Sequence, residues 1–151
     1  MTREQCIALV RGYLGGDDLA FQENSERDSF RIAYGSSAVY IDFFAIGDRT
    51  GVRVHAPVLA DVKPDAPLER LATINAEVSF GKFAFYEPTR TIEVEYDLLG
   101  WTLDADELHQ AVHVVGDLAD GWDDRLLADF GGKLHAPPED PTAAGTEAAD
   151  V

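Results

Sequence analysis

From Ser29 to Val58 three apolar-rich runs, the first and third alternating with a period of two, follow one another with only a few turn-forming residues between them. Phe30, Ile32 and Tyr34 alternate with Ser29, Arg31 and Ala33 and end at Gly35-Ser36-Ser37. A β-branched and aromatic run, Ala38 to Ile46, ends at Gly47-Asp48-Arg49-Thr50-Gly51, and Val52, Val54, Ala56 and Val58 alternate after it. A period of two puts successive side chains on opposite faces of an extended chain. Connections this short admit only antiparallel neighbours, because a parallel crossover needs a dozen residues or more. The stretch is thereby committed to an antiparallel meander. Pro57 has no N–H to give a ladder, so it belongs at an edge, a strand end or a bulge.

The rest of the chain must cover that meander. Thr2 with Gln5 three residues on is a capping-box pattern, and Cys6, Leu9, Val10 and Tyr13 follow at helical spacing up to Gly15-Gly16. Asp17 to Asp28 is polar around Leu19-Ala20-Phe21, a patch compatible with a short edge strand. Pro67 suits the first turn of a second helix with Leu68, Leu71, Ala72, Asn75 and Val78 on one side. Strands over Lys82 to Tyr86 and Thr91 to Leu98 are joined by the four-residue turn Glu87-Pro88-Thr89-Arg90. Asp104 and Glu107 form a second capping-box pattern, with Leu103 facing Leu108 across it. Leu108, Val112, Val115, Ala119, Trp122 and Leu126 then make an apolar stripe that ends at Gly131-Gly132. The expected fold is α+β, a five-stranded antiparallel sheet in the order α-β-β-β-α-β-β-α with helices mainly on one face. Residues 1–134 form one domain in this reading, and residues 135–151, rich in Ala, Pro and acid, form a disordered tail.

Composition limits function more than it names it. The 151 residues carry 28 Asp+Glu against 12 Lys+Arg, a formal charge of −16, which argues against direct binding of nucleic acid or of an anionic membrane. The 46% hydrophobic content is that of a globular chain despite this charge. The acid is unevenly placed: residues 1–75 hold 11 acids and 8 bases, and residues 76–151 hold 17 and 4. Glu93, Glu95 and Asp97 alternate along one strand, and eight further acids decorate the last helix. A solvated face accounts for such a pattern, and a landing surface for a basic partner segment is its functional alternative. The N-terminal segment lacks the features of a signal peptide, and no apolar run reaches the ~18 residues of a membrane span, so a cytoplasmic location is expected. Cys6, on the apolar side of the first helix, reads as a small core residue.

No dinucleotide-binding glycine motif, phosphate-binding loop, nucleophile elbow, C-x-x-C or H-E-x-x-H occurs, so no catalytic residue and no cofactor is assigned. His109 and His113 share a helical face and could chelate a metal beside Asp106 or Asp117, but they fall on the polar side of the stripe and read as solvated surface. His55 reads as sheet surface. The run Ala38 to Ile46 is apolar on both faces, with Val39, Ile41 and Phe43 on one and Tyr40, Phe44 and Ile46 on the other, interrupted by Asp42. Either helices cover both faces or the second face meets another chain. Phe83 and Phe85 pose the same question on the fourth strand. Tyr40, Phe44, Phe83 and Phe85, with Glu93 and Glu95, are therefore the candidate contacts for a peptide.

A short helix with Leu71 and Asn75, the run Phe80-Gly81-Lys82-Phe83 opening a hairpin, an aliphatic and acidic fifth strand, and a long acidic helix closing on Phe130-Gly131-Gly132 resemble the bacterial YbjN-like domains. These are similar in turn to type III secretion chaperones of the CesT/Tir-chaperone kind. The resemblance spans about residues 2–132 and implies the same α-β-β-β-α-β-β-α order. It further implies a homodimer that binds extended or partly unfolded protein segments rather than an enzyme. Basic and hydrophobic segments suit the acidic chain best. The alternatives are a metal-dependent protein or enzyme using His109, His113 and their Asp-rich helix, and an acidic regulator that mimics nucleic acid.

Overall fold

A computed structural model describes residues 1–16 and 19–135. Three helices, α1 (Arg3–Gly15), α2 (Glu69–Glu77) and α3 (Ala105–Phe130), accompany seven strands: β1 (Phe21–Asn24), β2 (Ser29–Tyr34), β3 (Ser37–Ile46), β4 (Arg49–Ala60), β5 (Lys82–Tyr86), β6 (Thr91–Leu99) and β7 (Lys133–Leu134). All pair antiparallel in one sheet, ordered β1-β2-β3-β4-β6-β5, and β7 adds to the far end of β4. The α+β class and the run of eight expected elements hold, whereas the strand count is corrected from five to seven. β1 grows from the edge-strand patch, shifted to start at Phe21. β7 was hidden because two residues carry no periodicity. The expected disorder of the tail concerns residues that, after His135, lie outside the described ones.

The meander follows its turn residues closely but not entirely. Gly35-Ser36 and Gly47-Asp48 are two-residue turns, with Gly35 and Gly47 at φ of +55° and +61°, where a side chain would be strained. The second turn is shorter than the five residues expected, because Arg49, Thr50 and Gly51 already pair with Ile46, Ala45 and Phe44. Gly51 acts there as a strand residue without bulk: a Cβ would come within 2.5 Å of the Phe44 ring. Pro57 lies in the central strand β4, at the bulge where the register with β6 shifts between Pro57 and Leu59.

Every second residue of the meander enters one core. Phe30, Ile32, Val39, Ile41, Val52, Val54, Ala56, Ile92 and Val94 are at most 1% exposed, under Val10 and Leu14 of α1 and Leu108, Val112, Val115 and Leu126 of α3. Each such aliphatic side chain contributes about 1.5–3 kcal/mol by leaving water. Both expected capping boxes form, Thr2 with Gln5 and Asp104 with Glu107. Cys6 is fully buried, as expected, and burial pushes its thiol pKa up. Gly116 lets the Tyr34 ring cross α3, since a Cβ there would lie 2.3 Å from it.

α2 is tied to the sheet edge by one side chain. Asn75 donates through Nδ2 to the Phe83 carbonyl at 3.0 Å and accepts the Phe83 N–H at 2.7 Å, so its amide stands in for a neighbouring strand along β5.

Candidate functional site

The helices pack on the face that carries the core, and the opposite face of the sheet has no helix over it among the described residues. Register places one residue from each of six strands in a continuous row across that face: Gln22, Arg31, Tyr40, His55, Glu95 and Lys82. A second row aligns Asp42, Arg53 and Asp97, and a third Phe44, Gly51 and Leu99. The alternation that buries Val54 and Val94 necessarily puts these polar neighbours outward.

The charges that β3, β4, β5 and β6 carry in the first two rows of this face are paired. His55, with 17% of its side chain exposed, lies 2.5 Å from Asp42 through Nε2 and 2.8 Å from Glu93 through Nδ1. Burial alone would lower the imidazole pKa, but hydrogen bonds to Asp42 and Glu93 outweigh it and hold the pKa at about 9. At neutral pH it is therefore an imidazolium that donates to both carboxylates. Glu95 is only 3% exposed, and Arg53, Lys82 and the Tyr86 hydroxyl converge on its carboxylate. Arg53 also grips Asp97 at 2.7 and 2.8 Å and lies over the Phe44 ring, 5.3 Å from its centroid. At the end of the sheet beyond this ladder, Ile46 and Leu99 are 38% and 50% exposed beside the half-buried Phe44.

The structure does not bring the six candidate residues together. Tyr40, Phe44, Glu93 and Glu95 share the open face, whereas Phe83 and Phe85 have the opposite parity, paired with Val94 and Ile92 on the helix side. Phe83 is 3% exposed and meets Trp122 of α3 edge to face, so of the two alternatives weighed for the fourth strand its side chain takes the helix-covered one. Strand alternation gives parity within β5, but which parity faces the helices depends on its pairing with β6. Nor are Glu93 and Glu95 free acids, because cations on neighbouring strands already hold them.

The histidines of α3 are corrected too. Instead of solvated surface, His109 Nε2 lies 3.2 Å from the Tyr13 carbonyl and His113 Nδ1 lies 3.0 Å from the Tyr34 hydroxyl. Tyr34 also donates to Asp117 at 2.7 Å, and burial together with that carboxylate pushes its pKa up to about 12. Ser36 in the first hairpin turn bonds Asp120 and Asp123. Part of the acidic helix surface is thus consumed in fixing α3 to the hairpin. Among the described residues no three His, Cys, Asp or Glu side chains converge in a way that could hold a metal ion. No helix among them is long and apolar enough to cross a membrane.

The residues that composition and motif reasoning missed are Arg31 and Leu99, whereas Ile46 stands on the second face of its strand in that reading but outside the candidate contacts. The usable signal was parity: each shares the alternation of Tyr40 or Asp97 rather than that of the core.

Residues 3–138 match the family described as T3SS (YopN, CesT) and YbjN peptide-binding chaperone 1. No curated protein matches by sequence. Among solved structures, YbjN from E. coli aligns with a TM-score of 0.58 at 15% identity, covering 79% of this chain and 92% of that one. A chain of the HopA1-SchA chaperone-effector complex aligns with a TM-score of 0.55 at 12% identity, covering 78% and 91%. A chain of the ExsC-ExsE complex aligns with a TM-score of 0.53 at 18% identity, covering 84% and 96%. At these identities the likeness to solved structures is one of fold.

Proposed function

Because the chain belongs to the family of T3SS (YopN, CesT) and YbjN peptide-binding chaperones, we propose that it is a non-enzymatic module, acting in the cytoplasm as a homodimer, that holds an extended protein segment against its open sheet face. The observation that carries this reading is the sheet face without helical cover among the described residues, whose outer end exposes Ile46 and Leu99 beside the half-buried Phe44. Exposed apolar side chains next to one another on an otherwise polar sheet suit the alternate side chains of an extended segment. Tyr40 lies further along the same face. In this reading Glu93 and Glu95 serve by holding His55, Arg53 and Lys82 in place, which keeps the face rigid before a segment arrives. The formal charge of −16 favours segments of basic and hydrophobic character and speeds their approach.

The test uses a nine-residue probe of alternating Leu and Lys, followed by fluorescence anisotropy. Binding is expected to weaken with added salt and to fall at least tenfold in Leu99→Asp or Phe44→Ser. Absence of binding at low salt, or binding indifferent to both substitutions, would overturn the reading. Sedimentation is expected to give twice the 16.5 kDa of one chain, and a monomer at all concentrations would remove the dimer from it.

A further inference from the structure

A cavity of about 390 Å³ opens beside the β1–β2 turn on the open face, bordered by Gln22, Arg31, Tyr40, Asp42, His55 and His135. Arg31 is 5% exposed there, its Nε carries no hydrogen bond, and no ion pair reaches it among the described residues. A guanidinium cannot discharge itself by losing a proton at any ordinary pH. Burying one without a counter-charge costs several kcal/mol. Two of the carboxylates bordering the cavity are already engaged, since Asp42 is bound to His55 and Glu23 to Arg11 at 2.5 Å. The other charged groups bordering the cavity are the exposed Glu26 and Arg27, which balance one another.

We infer that this cavity is a carboxylate-binding subsite, with Arg31 as the group that receives the anion. A planar carboxylate matches the fork of a guanidinium with two parallel hydrogen bonds. The volume exceeds what one or two waters fill, at about 30 Å³ each. A doubly charged anion fits less well, because Asp42 borders the same space. Two sources carry this chemistry. One is an acidic side chain of a bound partner segment. The other is this chain beyond His135, which holds Glu139, Asp140, Glu147 and Asp150 and no Lys or Arg. Glu139 is four residues past a residue of the cavity wall, a span of at most roughly 14 Å. The subsite does not depend on the proposed peptide-binding role, since the buried charge requires a partner in either case.

The experiment follows the Nε–Hε resonance of Arg31 by NMR in the full-length, ¹⁵N-labelled protein at pH 7. Loss of the peak in Arg31→Lys assigns it, and Arg31→Met provides a second assignment should the first variant fail to fold. One arm neutralises the tail through Glu139→Gln, Asp140→Asn, Glu147→Gln and Asp150→Asn together. A shift of the Arg31 resonance in that variant identifies the chain's own tail as the source. The other arm titrates N-acetyl-aspartate N-methylamide against its asparagine counterpart. A saturable shift with the aspartate compound alone identifies an external carboxylate as the occupant, and it does so even if the Leu/Lys probe never binds. A resonance that responds to neither arm, or equally to both compounds, overturns the inference.

Discussion

On the covered side of β4, Val52, Val54, Ala56 and Val58 are 0–3% exposed and belong to the hydrophobic core, whereas on its open side Arg53 and His55 hold four carboxylates from β3 and β6. One strand therefore supports two kinds of cohesion half a side chain apart. The dry face gains from removing area from water and is insensitive to pH and salt. The open face gains from charge pairing, which salt screens where the groups are exposed and which pH can dissolve. The dry face fixes the fold, while the ladder opposite supplies a polar platform whose contribution depends on pH and salt.

The comparison is most severely tested on the dry side. Phe130→Ala, at a side chain 1% exposed under the last turn of α3, is expected to cost about 3–5 kcal/mol in urea unfolding followed by Trp fluorescence. A loss below about 1 kcal/mol would mean that α3 contributes little to the core. Next comes His55. Its folded pKa of about 9 exceeds the ordinary 6.5, so the folded protein retains a proton that the unfolded chain releases. That contribution is complete below about pH 6.5, declines as pH rises and is gone above about 9, an upper bound near 3 kcal/mol. His55→Gln is expected to flatten this decline in unfolding curves taken at several pH values. An unchanged slope would place the effect elsewhere.

Smaller effects follow. Glu95→Gln, which leaves Lys82 without its buried carboxylate while Arg53 keeps Asp97, is expected to cost about 1–3 kcal/mol. Gly116→Ala should be destabilising by about 1–3 kcal/mol, even though alanine favours helices, because the new methyl group meets the Tyr34 ring. The smallest stability change is expected for Leu99→Asp, within about 0.5 kcal/mol, since half of that side chain is already in water. If the same variant abolishes binding of the Leu/Lys probe, stability and recognition separate along the two sides of one sheet.

How much of this was legible follows from range along the chain. Patterns set by neighbours three or two residues apart, such as the two capping boxes, the helical stripe of α3 and the alternation of β2 to β4, are local and read directly. Gly51 and Pro57 show the limit of that reading. Pro57 is exceptional already in the sequence, whereas Gly51 reads there as a turn residue, and its actual reason, a ring lying over it from β3, exists only after pairing. Asn75 was seen beside the Phe80-Gly81-Lys82-Phe83 run, yet its bond to the β5 backbone is a tertiary fact. The candidate site was half legible: Tyr40 and Phe44 lie on the open face, while Phe83 and Phe85 were misplaced because hydrophobicity alone does not tell which side a helix covers. The charge ladder was invisible, since Glu93 and Glu95 read as free acids until Lys82, Arg53 and His55 arrive from other strands.

The amide of Asn75 has a consequence for how copies of the protein coexist at high concentration. β5 ends the sheet, and an unguarded strand there is a template on which a second molecule can continue the ladder without limit. By taking both the N–H and the carbonyl of Phe83, Asn75 interrupts that template at its second residue. One side chain on a nine-residue helix thus helps to keep the protein from adding strands at this edge.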